Sequence, residues 1–353
     1  MPPEETPRAL GFRMPAEWEP HEATWLAWPH NREDWPGKFA PIPWVYAEIA
    51  TRLSRVERVR ILVADDAMRR HASGQLRKTG ARMEAIEFIE CATNRGWTRD
   101  YCPLFVRDAS GAVAATKWRF NGWAKYRNWR SDDAAFDTIE PRLGMRAWRT
   151  GLVLEGGAID VNGAGLLLAT EECLLSPVQE RNPGLGRAEI EHALAEHLGI
   201  AQVLWLGRGI TGDDTHGHID DLARFVNPST IVIASESDPA EANYALLAEN
   251  LERLRAMTAP GGRTFEVVTL PMPRPVYFDG QRLPASYLNF YIANGLVLVP
   301  TFNDPNDRVA LATLAALFPD REVTGIYCGD LVLGLGTLHC MTMQQPAANG
   351  SAG

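Results

Sequence analysis

Short apolar runs bounded by Gly, Pro, Asn and Asp recur along the whole chain. Val59–Val63, Gly165–Ala169, Ile231–Ala234, Val297–Val299 and Leu331–Leu333 are of this kind. Their length and branched side chains predict strands buried on both faces. Longer stretches between them carry a helical period. Arg187–Leu198 places Ile190, Leu194 and Leu198 on one face, with Glu189, Glu191 and Glu196 on the other. Glu241–Met257 and Ala310–Leu317 read as two further helices. The class is therefore α/β with many short strands. The strand–helix unit recurs at irregular spacing, which is compatible with a weakly repeated radial fold. The Pro/Gly-rich segments at 29–43, 260–262 and 271–284 are short and lead into aromatic or apolar residues, so they read as ordered loops. Residues 1–345 are expected to form a single domain, followed by a disordered tail at 346–353.

Composition narrows the function. The 353 residues are 46% hydrophobic and 22% charged, with a net charge of -9. The nearest approach to a basic patch is Lys117, Arg119, Lys125, Arg127 and Arg130, which four tryptophan and phenylalanine residues dilute. No nucleic-acid partner is expected. No apolar run has the length of a membrane span, and residues 1–14 are rich in Pro, Glu and Arg, so neither membrane nor signal peptide is expected. Five cysteines without CxxC spacing argue against a disulfide framework and a zinc ribbon, and fit a reducing cytoplasm.

Four segments carry candidate chemistry. Cys340 follows the glycine-rich Gly334-Leu335-Gly336, where a tight turn can present a thiol at a cleft. The same cysteine also reads as a small buried hydrophobe. His216-Gly217-His218-Ile219-Asp220 offers a base beside a carboxylate; if it is extended, His218 and Asp220 share a side. His216, His218 and Asp220 are also metal ligands by type, though no companion ligand set stands at a recognisable spacing. In Trp97-Thr98-Arg99-Asp100, Trp97 has a flat face for a planar cation and Asp100 can grip two N–H groups, unless Arg99 takes it in a structural ion pair. Leu154-Glu155-Gly156-Gly157 reads as a strand end opening on a cleft, or as a plain turn. Cys102 reads as packing, and Cys173 follows two glutamates that would raise its pKa. Together the segments bring one thiol, one histidine and three carboxylates, which suits a planar cationic substrate attacked at carbon.

With these motifs in this order, the sequence resembles the agmatine deiminase family, which is related to bacterial-type peptidylarginine deiminases. The resemblance covers nearly the whole chain. It starts at Met14-Pro15-Ala16-Glu17-Trp18 and runs through Trp97–Asp100, Phe120–Trp123, Leu154–Gly157 and Asp214–Asp220. It continues at Pro300–Asp307 and ends at Leu338–Gln344. It implies the pentein fold, a five-bladed α/β propeller of ββαβ units with pseudo-fivefold symmetry. It implies a hydrolase that converts a guanidinium to a ureido group and releases ammonia, agmatine giving N-carbamoylputrescine. By position it makes Cys340 the nucleophile and His218 the acid/base. Asp100, Asp220 and Glu155 become the guanidinium-holding carboxylates. Trp97 lines the pocket, and Asp214, with Asp213 beside it, faces the far amine. No metal or cofactor is implied, and a homo-oligomer is. The alternatives are peptidylarginine or another guanidine as substrate, or binding without turnover.

This chain departs from the family pattern in four places. Arg95 stands where an aspartate is common, and Cys102 where a glycine is. Ala124-Lys125 replaces Gly-Gly after Trp123, and Leu335 interrupts the glycine run before the nucleophile. None removes a catalytic residue; all bear on the pocket rim. An enzyme for free arginine would offer an arginine to the α-carboxylate, for which Arg95, Arg208 and Arg224 are the candidates.

Overall fold

The structure is a computed structural model and describes residues 5–348. One unit is built five times: an antiparallel strand pair, a helix, and a third strand parallel to the second. In the second blade the strands are Leu104–Arg107, Val113–Arg119 and Ala147–Val153, with helix Arg130–Leu143 as the crossover. The third has Asp160–Val161, Leu166–Thr170 and Gln202–Leu206 around helix Arg187–Leu198. The fourth has Ala223–Phe225, Thr230–Ser235 and Glu266–Pro271 around Tyr244–Ala256. The fifth has Tyr291–Ala293, Leu296–Thr301 and Glu322–Tyr327 around Pro305–Leu317. The first blade is split by the chain ends. His21–Ala27 pairs in parallel with Arg58–Val63 across helix Ile42–Leu53, and Ile86–Glu90 extends the sheet. Its antiparallel partner is the last strand, Met343–Pro346, which closes the ring. This is the five-bladed pentein architecture.

The middle strand of each blade is covered on both sides, so it reads as a continuous apolar run rather than an alternation. Ile231, Val232 and Ile233 are all fully buried, as are Val297, Leu298 and Val299. The segments that meet between the blades are polar instead. Glu17 accepts from Arg99 Nη2 at 3.2 Å, from His339 Nε2 at 2.8 Å and from the Ile292 amide at 2.8 Å. Arg224 lies 3.0 Å from Glu17 and donates Nε to Asp160 at 2.8 Å. Its Nη1 donates to the carbonyls of Leu288 and Phe290. Arg99 also donates to Gln344 of the closing strand at 2.7 Å. These buried groups link segments of all five blades.

Several expectations change. Leu331–Leu333 is not a strand but part of a buried 3-10 turn, Leu331–Gly334. No neighbouring strand offers it a ladder, and its polar groups are met locally, with the Val332 amide on Cys328 O and Trp35 Nε1 on Leu331 O. The helix expected from Ala310 starts at Pro305, where Asp304 caps it through the Asn306 amide. The helix expected over Glu241–Met257 starts at Tyr244. The expected tail boundary falls too early, because Pro346 is in the closing strand and Ala347 is buried with its amide on Pro20 O. Residues 349–353 of that tail lie outside the described residues. Among the described residues no helix is long and apolar enough to cross a membrane.

Candidate active site

Cys340 sits at the inner end of a cavity of about 550 Å³ whose lining includes Trp97, Asp100, Trp123, Tyr126, Asp214 and Gly336. Several local features place the thiol. Leu335 takes a left-handed conformation, φ 66°, and turns the chain back. Gly336 follows, where an added Cβ would stand 3.2 Å from Cys340 Sγ and 3.2 Å from the Trp97 ring. The Arg99 amide donates to Cys340 O at 3.2 Å, and Thr98 Oγ1 to Met341 O at 2.8 Å. The segment bearing Trp97 and Asp100 is thereby tied to the one bearing the nucleophile. Asn289 Nδ2 donates to Cys340 Sγ at 3.0 Å, and the thiol faces Asp220 Oδ2 at 3.6 Å.

His218 follows a turn built by Asp213, whose carboxylate accepts the amides of Gly217 at 2.8 Å and His218 at 2.9 Å. Asp213 therefore supports the backbone and does not serve the substrate's tail. The segment after His218 is not extended. Ile219–Asp221 is a 3-10 turn, and the strand begins only at Ala223. His218 and Asp220 nevertheless meet, with Nδ1 4.0 Å from both Asp220 Oδ1 and Asp100 Oδ1. Neither ring nitrogen has a hydrogen-bond partner.

The carboxylates divide into two sets. Asp100 takes Trp123 Nε1 at 2.8 Å and the Gly157 amide at 3.0 Å. Arg99 does not pair with it. Asp220 takes His339 Nδ1 at 2.7 Å, while its Oδ1 has no partner. Glu155, expected on the guanidinium, lies on the far side of His218. Arg181 Nε donates to its oxygens at 3.1 and 3.3 Å, and Oε2 faces His218 Nε2 at 3.7 Å. Asp100, Asp220 and His218 close around the bare Cα of Gly157, with no room left there for a side chain. An added Cβ there would stand 2.5 Å from His218 Nδ1, 2.9 Å from Asp100 Oδ1 and 3.1 Å from Asp220 Oδ2.

Burial and charge set the protonation of these groups. Burial, with Asp220, Asp221 and Asp100 near, pushes the Cys340 thiol well above its ordinary range. For His218 burial disfavours the cation, but Asp100, then Cys173 and Glu155, outweigh it and hold the imidazole well above its ordinary value. Burial lifts Asp100 to about 6, helped by Asp220 and Glu155 against the pull of His218. Burial would raise Glu155 too, but Arg181 and His218 bring it down to about 2. Burial likewise works against the Asp220 anion, and His339 prevails, so Asp220 lies below its ordinary value. The resting site thus holds a neutral thiol beside an imidazolium and ionised carboxylates. Glu155, Cys173 and His218 also bring donor atoms within 4.8 Å of one another, the spacing of a possible metal triad. Arg181 already supplies the positive charge at Glu155.

The structure brings Cys340, His218, Asp100, Asp220 and Glu155 together, and puts Trp97 and Asp214 on the cavity wall. Sequence reading passed over Asn289, Arg181, Trp123 and His339. Asn289 had a signal, as a lone amide in the apolar and aromatic run Tyr287–Ile292. Cys102 is buried in the core and is not among the cavity residues, in line with packing. Of the arginines considered for an α-carboxylate, Arg224 is consumed by Glu17 and Asp160, whereas Arg95 lines the cavity and is held by Asp34.

The model of the Porphyromonas-type peptidyl-arginine deiminase family matches residues 13–346. The chain is 36% identical to an agmatine deiminase of Pseudomonas aeruginosa (strain LESB58), over 98% of each. The solved agmatine deiminase of Enterococcus faecalis superposes with a TM-score of 0.91 at 32% identity, covering 98% of each chain. An agmatine deiminase of C. jejuni, solved with substrate bound, superposes with a TM-score of 0.85 at 28% identity, covering 96% of this chain and 97% of that one.

Gly157→Ala supplies a direct test. The added Cβ would overlap His218 and Asp100, which must then move, and kcat/KM should fall by about 100-fold or more, since a misplacement of about 1 Å costs that much. Full activity in this variant would show that the reaction does not depend on the placement of His218 and Asp100.

Proposed function

Because this chain belongs to the Porphyromonas-type peptidyl-arginine deiminase family, we propose that it hydrolyses the guanidinium of agmatine to N-carbamoylputrescine and ammonia. The observation that carries this reading is the convergence of Asp100, Asp220 and His218 around the Cys340 end of the cavity. A guanidinium is planar and cationic, and its delocalised charge makes its carbon a poor electrophile. Two carboxylates fix its N–H groups and hold the carbon over the sulfur. Trp97 supplies a flat apolar wall.

The resting protonation states suit substrate-assisted activation. The cation entering among the carboxylates offsets the charges that keep the thiol neutral, and the thiol releases its proton to solvent, His218 being already protonated. Asn289 Nδ2–H then stabilises the thiolate. Cys340 Sγ bonds to the guanidinium carbon. The His218 imidazolium gives its proton to one terminal nitrogen, and the C–N bond breaks to release ammonia. A thiouronium remains on Cys340. His218, now neutral, takes a proton from water as the oxygen bonds to the carbon. The C–S bond breaks, leaving the ureido product and Cys340. Glu155, fixed by Arg181, orients His218 and stabilises its cation. All five cysteines are free and buried, which supports a reducing, cytoplasmic setting.

Purified protein given agmatine should yield equal amounts of ammonia and ureido product, with little from arginine or a short arginine peptide. Cys340→Ala should yield none while remaining folded. Turnover by that variant, or turnover of the peptide alone, would contradict the reading. The acid limb of the pH profile is a second check. With Asp100 near 6, its anion is present above that pH and lost below it. The logarithm of kcat/KM should therefore fall with slope one below about pH 6; a profile flat from about pH 7 to about pH 5 would remove Asp100 from substrate capture.

A further inference from the structure

The outer end of the cavity carries an arrangement that the reaction itself does not require. Asp214 lines the cavity together with Glu33, Asp34 and Asp279, and is the one of these that the family resemblance sets against the ammonium at the other end of agmatine. Both of its oxygens are already engaged by this chain. Lys125 Nζ pairs with Oδ1, and Tyr126 OH donates to Oδ2 at 2.5 Å. Gln179 Nε2 joins the two loops by donating to Trp123 O and Asp214 O, each at 3.1 Å.

The two donors differ in how firmly they are held. The Tyr126 ring lies under the Arg95 guanidinium at 4.3 Å, and Arg95 is itself held by Asp34 and by Asn128 at 3.1 Å. Lys125 is 43% exposed and sits on a flexible stem, with Asp214 as its ion-pair partner. Its ammonium also lies 5.5 Å from the centroid of the Tyr126 ring, and Asp214 is 14% exposed; the lysine end of the pair remains open to water, and a lysine gains rotamer freedom on leaving it. Its ammonium has the same charge and donor set as an alkylammonium ligand. Trp123 in the same loop donates to Asp100 beside the nucleophile, so the loop reaches both ends of the cavity.

We propose that Lys125 is a specificity-determining residue that stands in for the substrate's far ammonium on Asp214 and must leave before that ammonium can bind. Tyr126 stays and keeps the carboxylate aimed. This rests on agmatine as the substrate and on Asp214 as the group that meets its tail. The consequence is a KM raised by the fraction of enzyme in which Asp214 is occupied, with no change in the chemical step.

The test is steady-state kinetics of Lys125→Met, Lys125→Arg, Asp214→Asn and the Lys125→Met/Asp214→Asn double variant. Substrates are agmatine and butylguanidine, which has the same guanidinium and no far ammonium. Lys125→Met should lower KM for agmatine by about two- to sixfold, with kcat unchanged. Lys125→Arg should keep KM near that of the wild type. The KM for butylguanidine should not fall, and adding Lys125→Met to Asp214→Asn should change nothing, because the carboxylate competed for is gone. An unchanged or higher agmatine KM in Lys125→Met overturns the proposal, as does an equal fall for butylguanidine or a fall that persists in the double variant. Absence of agmatine turnover by the wild type removes the substrate assignment and this proposal with it; turnover with an unmoved KM removes the proposal alone.

Discussion

Glu17 and its cations hold the molecule's polar centre together. One carboxylate, buried where the blades meet, is shared by Arg99, Arg224 and His339. Burying charges is costly unless each is paired and its remaining donors are satisfied. Here Arg224 donates to Asp160 and two backbone carbonyls, its Nη2 meeting Glu17 only as an ion pair at 3.0 Å, and Arg99 donates to Gln344 and the His339 carbonyl. Against the cost of burial, these cations keep Glu17 well below the ordinary carboxylate range. Removing any one partner would strand a buried charge.

The active site is an extension of that network. His339 bridges Glu17 and Asp220, and Asp220 faces the sulfur of Cys340. A second line runs from Arg181 through Glu155 to His218. The two lines meet where Asp220, His218 and Cys340 come together, with opposite effects. One supplies carboxylates that raise the thiol and make it inert. The other supplies a histidine already charged for donation. Such a site is poised for a ligand that brings positive charge with it, and holds its nucleophile in reserve until that ligand arrives. The preorganisation is electrostatic and is established by folding, before any substrate enters.

One buried strand in each of four blades, Arg58–Val63, Leu166–Thr170, Thr230–Ser235 and Leu296–Thr301, and the helix Arg187–Leu198 were legible in the sequence because burial on two faces and a period of 3.6 leave direct marks; the strands of the second blade were not. Leu331–Leu333 misled because a short apolar run has the same composition in a buried 3-10 turn as in a strand; only the absence of a neighbouring ladder separates them. Helices Ile42–Leu53, Asp66–Thr79 and Arg130–Leu143 were not anticipated. The last has Pro141 near its end and a mixed surface that hides the period. The residues brought together at the site were legible by type and motif. The division of labour among the carboxylates was not. Glu155 serves His218 and not the open space because Arg181, 26 positions away, holds it there. The pairing of Lys125 with Asp214, 89 positions apart, was likewise invisible along the chain.

Cys340 is neutral at rest and becomes reactive when a planar cation fills the inner end of the cavity, between Trp97, Asp100 and the sulfur. The most direct measurement is the rate of Cys340 alkylation near neutral pH by chloroacetamidine and by its neutral counterpart chloroacetamide, each normalised to a free thiol and followed by mass spectrometry. The account predicts that the amidinium reagent is faster by about tenfold or more, and that Asp100→Asn removes most of the difference. Equal normalised rates, or a neutral reagent as fast as the cation, would mean that the thiolate pre-exists and that the substrate's charge has no part in forming it.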